Sequence, residues 1–274
     1  MRWLLTLFSM GLLLAQQRVV SLAPSATEML YAMGWGDRVV GVTKYCHYPP
    51  EARQKPQVGS YLRPSLEAIA ALKPDLIILD PTTTRINLPG VPVAAIERKD
   101  LVAIERSIAN IAKAMGDPAR AKALVERMRR DLQLIRARNQ GRAKRKAMFV
   151  VGRNPGQLTG FVVVGRDSYL NELIALAGGE NIFADAPISY PKISTEEILA
   201  RQPDVIIDMG DMADTDAVPA GHLAQVRALY RKLPQVSAVK HGRVFAVASD
   251  IFVVPGPRVV EAAREFERMI QGKP

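Results

Sequence analysis

The sequence predicts an α/β protein of two similar lobes with mainly parallel central sheets, joined by one long rigid helix. Three observations predict this: a segment that recurs half a chain later, short β-branched runs alternating with helical patterns, and one uninterrupted helical pattern between the halves. With 274 residues, 48% of them hydrophobic, the chain can bury a substantial core.

The recurrence is the strongest of the three. SLEAIAALKPDLIILD (residues 65–80) aligns without a gap to STEEILARQPDVIIDM (residues 194–209), with eight of sixteen positions identical at an offset of 129. Two copies at so long a period indicate duplicated lobes and not a solenoid. Each copy reads as a short helix capped by serine, stopped by Pro-Asp, and followed by a strand.

The elements follow in order. Met1 and Arg2 precede an apolar run from Trp3 to Leu14, too short to span a bilayer, and Ala15 supplies a small residue for cleavage. Residues 1–15 therefore read as a signal peptide, and with no cysteine after the run a lipid-anchored form is not expected. Residues 18–22 predict a strand and residues 25–33 a helix closed by Gly34. Further strands are expected at 39–42 and 93–96. Residues 101–115 form one amphipathic helical pattern. Gly116, Asp117 and Pro118 then stop it and open a second helix to about Asn139, roughly 30 Å long. A strand at 148–151 and a helix at 168–177, closed by Gly178, echo the start of the chain. A strand at 244–247 and a helix at 259–270 complete it. The lobes are thus expected at 16–116 and 141–274, with the joining helix at 117–140 limiting how far a cleft between them opens.

Charge and motifs exclude several functions. The net charge is +10, with nine basic residues between Arg127 and Lys146. On a long helix such a run reads as a solvated face, and no nucleic-acid signature accompanies it, so nucleic acid is not an expected partner. His47, His222 and His241 lie in no zinc-binding spacing, and Cys46, the sole cysteine, can form no internal disulfide. Asp208, Asp211, Asp214 and Asp216 lack the pattern of a calcium loop and read as a solvated stretch. No nucleophile elbow, phosphate loop or dinucleotide turn is present. The expectation is a protein without catalytic residues, metal or cofactor.

Three tyrosines stand out instead. Tyr45, Tyr61 and Tyr190 fall in loops beside the predicted strands, and Tyr61 and Tyr190 each precede a repeat copy by four residues. Ligands of open α/β sheets sit beyond the carboxyl ends of the strands, where an aromatic ring offers a stiff apolar face with a polar tip.

Six segments spread over the chain carry a family resemblance: RVVSLAPSATE (18–28), VTKYCHYPP (42–50), SLE with KPDLI (65–67 and 73–77), GGENI (178–182), ISTE (193–196) and PGPR (255–258). In these the chain resembles the helical-backbone (class III) periplasmic substrate-binding proteins of ABC importers. The resemblance implies a periplasmic monomer that carries a corrinoid such as cobalamin to an inner-membrane permease; haem or a ferric siderophore is the alternative ligand. It implies ligand contacts from Tyr45, Tyr61, Tyr190 and Phe252, and permease docking by Glu67 and Glu196, one per lobe. Asp80, Pro81 and Val162 stand where aromatic residues would be expected. A different class of function, an extracytoplasmic metal chaperone or enzyme, would use Cys46 and His47.

Overall fold

A computed structural model of the chain describes residues 17–82, 84–210 and 221–272. The expected signal peptide and Asp211, Asp214 and Asp216 lie outside the described residues.

The first lobe contains β1 (Val19–Ser21), α1 (Pro24–Ala32), β2 (Val39–Val42), α2 (Leu66–Ala71), β3 (Leu76–Leu79) and β4 (Val93–Ala95). Its sheet has the order β2-β1-β3-β4 with every pair parallel. All residues of β1 and β3 are buried, as expected for central strands covered on both faces, while edge strand β4 is partly exposed. Gly34 adopts φ +77°, the left-handed conformation in which glycine closes a helix without strain.

α3 (Leu101–Ala114) starts where the Asp100 carboxylate accepts from the Ala103 amide at 2.7 Å. α4 (Pro118–Asn139) then runs 22 residues, about 33 Å at 1.5 Å per residue. Its buried positions, Ala121, Leu124, Met128, Leu132, Ile135 and Asn139, recur every three or four residues and form one stripe. On the flanks, Arg129 pairs with Glu105 of α3, and Arg138 pairs with Glu267 farther along the chain. Arg127, Arg130 and Arg136 are exposed, which explains how so basic a helix is tolerated.

The second lobe comprises β5 (Arg145–Gly152), β6 (Phe161–Val163), α5 (Tyr169–Leu176), β7 (Gly179–Asn181), β8 (Lys192–Ile193), α6 (Thr195–Arg201), β9 (Val205–Asp208), α7 (His222–Tyr230), α8 (Ser237–Lys240), β10 (Val244–Ala246) and α9 (Val259–Gln271). The parallel set β7-β5-β9-β10 reproduces β2-β1-β3-β4 of the first lobe. Adding 129 to the bounds of β3 gives those of β9.

Two antiparallel strands, β6 and β8, depart from the expected pattern. β5 has eight residues against three in β1; its first half pairs with β7 and its second half would otherwise present an open edge. β6 covers that edge, and β8 pairs with β6. Asp208 is a correction to the solvated acidic stretch. It is fully buried at the end of β9, its carboxylate accepting from Arg153 Nε at 2.8 Å.

One apolar core passes through both lobes. It joins Val19, Ile78 and Ile108 to Leu124 and Met128 of α4, and these to Phe149, Leu173 and Phe266. Packing its one buried stripe against elements of both lobes makes α4 a structural spine and not a tether.

Candidate functional site

Tyr45 follows β2, and Tyr61 precedes α2. The two loops are stitched together: the Lys44 amide donates to the Gly59 carbonyl at 3.0 Å, and Val42 bridges to Gln57. This sets the rings 5.1 Å apart at 54°, a tilted aromatic pair. Tyr45 is 42% exposed, with Lys44 Nζ 4.9 Å from its ring. The Tyr61 carbonyl accepts from the Thr84 hydroxyl, tying this pair to the loop beyond β3.

Tyr190 lies in the other lobe, just before β8, and is 41% exposed. Its hydroxyl is 3.2 Å from Ser168 Oγ, the cap of α5. Beside that cap the lobes are sewn together. The Tyr169 amide donates to the Lys99 carbonyl at 2.8 Å, and the Leu101 amide to Glu172 Oε1 at 3.3 Å. Tyr190 therefore stands at the seam. Burial pushes the Tyr169 hydroxyl well above its usual pKa, with Tyr190 adding to the rise and Arg98 opposing it. It donates to the Phe252 carbonyl at 2.8 Å.

Phe252 is a correction. Its side chain is 1% exposed, with ring centroids 5.5 Å from Phe149 and 5.1 Å from Phe266. A ring packed among core aromatics has no face to offer a ligand, so this phenylalanine belongs to the core. Cys46 also turns inward, although Tyr45 beside it turns out. Its thiol lies 3.3 Å from Thr43 Oγ1, and burial raises its pKa, disfavouring the thiolate a nucleophile or metal ligand needs. His47 Nε2 lies 2.6 Å from the Lys44 carbonyl, a local contact. Among the described residues, no group of three or more His, Cys, Asp or Glu is placed to hold a metal ion.

Glu67 and Glu196 occupy the second positions of α2 and α6, and both are exposed. Ser65 Oγ accepts from the Ala68 amide, and Ser194 forms a complete capping box with Glu197, not with Glu196. Hydrogen bonds from its own backbone amide and from Ser194 hold the Glu196 carboxyl below the usual range.

Sequence reasoning missed the most heavily connected ionic group at this junction. Arg258 donates through Nε to Glu28 of α1 at 3.0 Å and through Nη2 to the other oxygen of the same carboxylate, while also binding Asp250 at 2.9 Å. The Tyr48 ring lies 4.0 Å from the guanidinium. Glu28 and Asp250 are 222 positions apart, so one arginine ties α1, and through the Tyr48 ring the loop bearing Tyr45, to the opposite lobe. Desolvation lifts the Glu28 carboxyl to about 7, although Arg258 acts against it. Glu28 and Arg258 both lie in segments that carry the family resemblance, whereas Asp250 does not.

A separate depression of about 620 Å3 lies against α9, with Arg258, Glu261, Arg264 and Glu265 among its walls. Its charges oppose one another and none of the three loop tyrosines lines it, so it is not the site the loops build.

The chain matches the family model described as periplasmic binding protein over residues 19–251. It is 32% identical over 258 residues to the vitamin B12-binding protein of Pectobacterium carotovorum, covering 91% of this chain and 87% of that protein. The crystal structure of the periplasmic vitamin B12-binding protein of Vibrio cholerae superposes with a TM-score of 0.73 at 29% identity, covering 93% and 96% of the two chains. The apo periplasmic haem-binding protein from Roseiflexus sp. RS-1 superposes at 0.75 with 28% identity, covering 93% of this chain and all of that one.

Proposed function

Since the chain belongs to the periplasmic binding protein family, we propose that it captures a corrinoid of the cobalamin type between its lobes and presents it to an ABC importer in the inner membrane. The observation that carries this reading is the aromatic surface on both sides of the seam: exposed Tyr45 paired with half-buried Tyr61 on one lobe, and exposed Tyr190 on the other. Flat rings with hydroxyl tips suit a broad macrocycle bearing polar substituents. The similarity to vitamin B12-binding proteins supports the same ligand. The protein acts as a monomer, takes up and releases the ligand unchanged, and reaches the periplasm through a cleaved leader at residues 1–15.

Glu67 and Glu196 dock the permease. They occupy equivalent positions in duplicated lobes, so a pseudo-twofold protein meets a twofold partner with one carboxylate on each side. Capping does not account for the retained pair, because Glu197 makes the box and the first copy has Ala68 there.

Haem is the second reading, favoured by the superposition on a haem-binding protein. Calorimetric titration of the purified protein with cyanocobalamin, haemin and a ferric hydroxamate separates these readings. Micromolar or tighter binding of cyanocobalamin alone is expected. Binding of haemin without the corrinoid overturns the ligand and leaves the family intact.

A further inference from the structure

Both lobes place a carboxylate where a central strand ends, and each carboxylate holds an arginine, but the two pairs are built differently. In the second lobe Asp208 holds Arg153, whose side chain is 4% exposed and whose Nη1 also donates to the carbonyls of Asn154 and Gln157. That arginine is committed to shaping its own loop. In the first lobe Asp80, at the end of β3, holds Arg98 Nε at 3.0 Å, and Arg98 Nη2 lies 3.5 Å from Thr82 Oγ1. The Arg98 side chain is 52% exposed, against 4% for Arg153.

The position of Arg98 gives this difference a use. It follows β4, beyond the carboxyl ends of β3 and β4, where open α/β sheets bind ligands. The next residue, Lys99, makes the seam bond to Tyr169, and the charge of Arg98 acts on the Tyr169 hydroxyl together with Tyr190. On its other side the Thr84 amide donates to the Asp80 carbonyl at 2.9 Å, and the Thr84 hydroxyl reaches the Tyr61 carbonyl. A half-open guanidinium thus belongs to the chain of contacts that runs from Tyr61 through Thr84 and Asp80 to Lys99 and Tyr169. Asp80 fixes its orientation, so little side-chain freedom is left to lose on binding.

We infer that Arg98 is the anion-reading group of the site, donating to an acidic oxygen, phosphodiester or carboxylate, at the rim of the macrocycle the tyrosines hold. This rests on the proposed ligand-capture role and adds a chemical preference to it. A planar donor fork selects paired acidic oxygens over neutral amides. The Thr82 hydroxyl donates to Asp80 Oδ1 at 2.6 Å and lies as an acceptor beside Arg98 Nη2, so it helps hold the pair in place.

The test compares ligands with and without an acidic group. Cyanocobalamin carries a phosphodiester that dicyanocobinamide lacks together with the attached ribose and base. Haemin carries carboxylates that its dimethyl ester lacks, the pair that isolates the acidic oxygens. Each is titrated into the wild type, Arg98→Gln and Arg98→Lys at two salt concentrations. Arg98→Gln is expected to weaken cyanocobalamin at least fivefold and dicyanocobinamide less than twofold. Arg98→Lys should retain part of the preference and so show that the Gln effect is not misfolding. If only the haem pair binds, the same contrast between acid and ester supports Arg98 while the corrinoid reading fails. Equal losses for acidic and neutral ligands, or none for either, overturn the assignment to Arg98 and leave ligand capture standing. Failure of the wild type to bind any of the four overturns both.

Discussion

Tyr45 and Cys46 are adjacent, yet one turns to solvent and the other into the core beside Thr43, and this alternation leaves the loop one functional face. Residue type alone does not reveal such a choice. Large rings in loops beside strand ends single out Tyr45, Tyr61 and Tyr190; Tyr45 and Tyr190 are exposed, and Tyr61 is half-buried. Phe252 is implied only by the family resemblance, and it sits in a short turn with its ring packed on Phe149 and Phe266. Glu28 was illegible for a different reason: its partner lies 230 residues away, and no local pattern predicts a long-range ion pair. Its titration gives a prediction. A carboxyl raised on folding from 4.5 to about 7 takes up a proton as the chain folds. Its contribution is complete below about 4.5 and is lost as the pH rises through about 7. Urea unfolding of the wild type and Glu28→Gln across this range should show the wild type losing stability relative to the variant as pH rises. A difference that stays constant, or grows in the wild type's favour, contradicts the raised carboxyl.

At the scale of elements, the duplicated helix and strand were the most legible because cap, stop and β-branched run are all local signals. The capping box of α6 and the serine cap of α2 are both present. β6 and β8 were not foreseen, since strands of three and two residues carry too little periodicity to register. α7 escaped as well: its cap is Gly221, with φ +86° and no side chain to announce a helix. The packing of α9 against β5 carries a second prediction. Phe149, Phe252 and Phe266 form a mutual cluster with centroids 5.1 to 5.5 Å apart. Phe252→Ala should cost about 3–5 kcal/mol of stability by thermal or urea unfolding. A variant of unchanged stability with weakened ligand binding would return this residue to the binding surface.

For the whole molecule, the notable feature is one core running through two lobes by way of α4. Duplication builds two similar sheets, so each lobe carries loop tyrosines and one exposed glutamate at the second position of its repeated helix. The double change Glu67→Ala with Glu196→Ala should leave ligand affinity within twofold and lower uptake through the cognate importer, more steeply as salt is raised. Exposed ion pairs are individually weak, so both changes are needed for a clear effect. Loss of ligand affinity alongside uptake would place these glutamates in the binding site instead.

The central claim, that an aromatic surface between the lobes captures a corrinoid, is tested most directly by titrating cyanocobalamin into the wild type and Tyr45→Ala by calorimetry. Micromolar or tighter binding is expected for the wild type, weakened at least tenfold in the variant, which is about 1.4 kcal/mol for losing one stacked ring. Equal affinity in the two proteins, or no heat from the wild type, would contradict it.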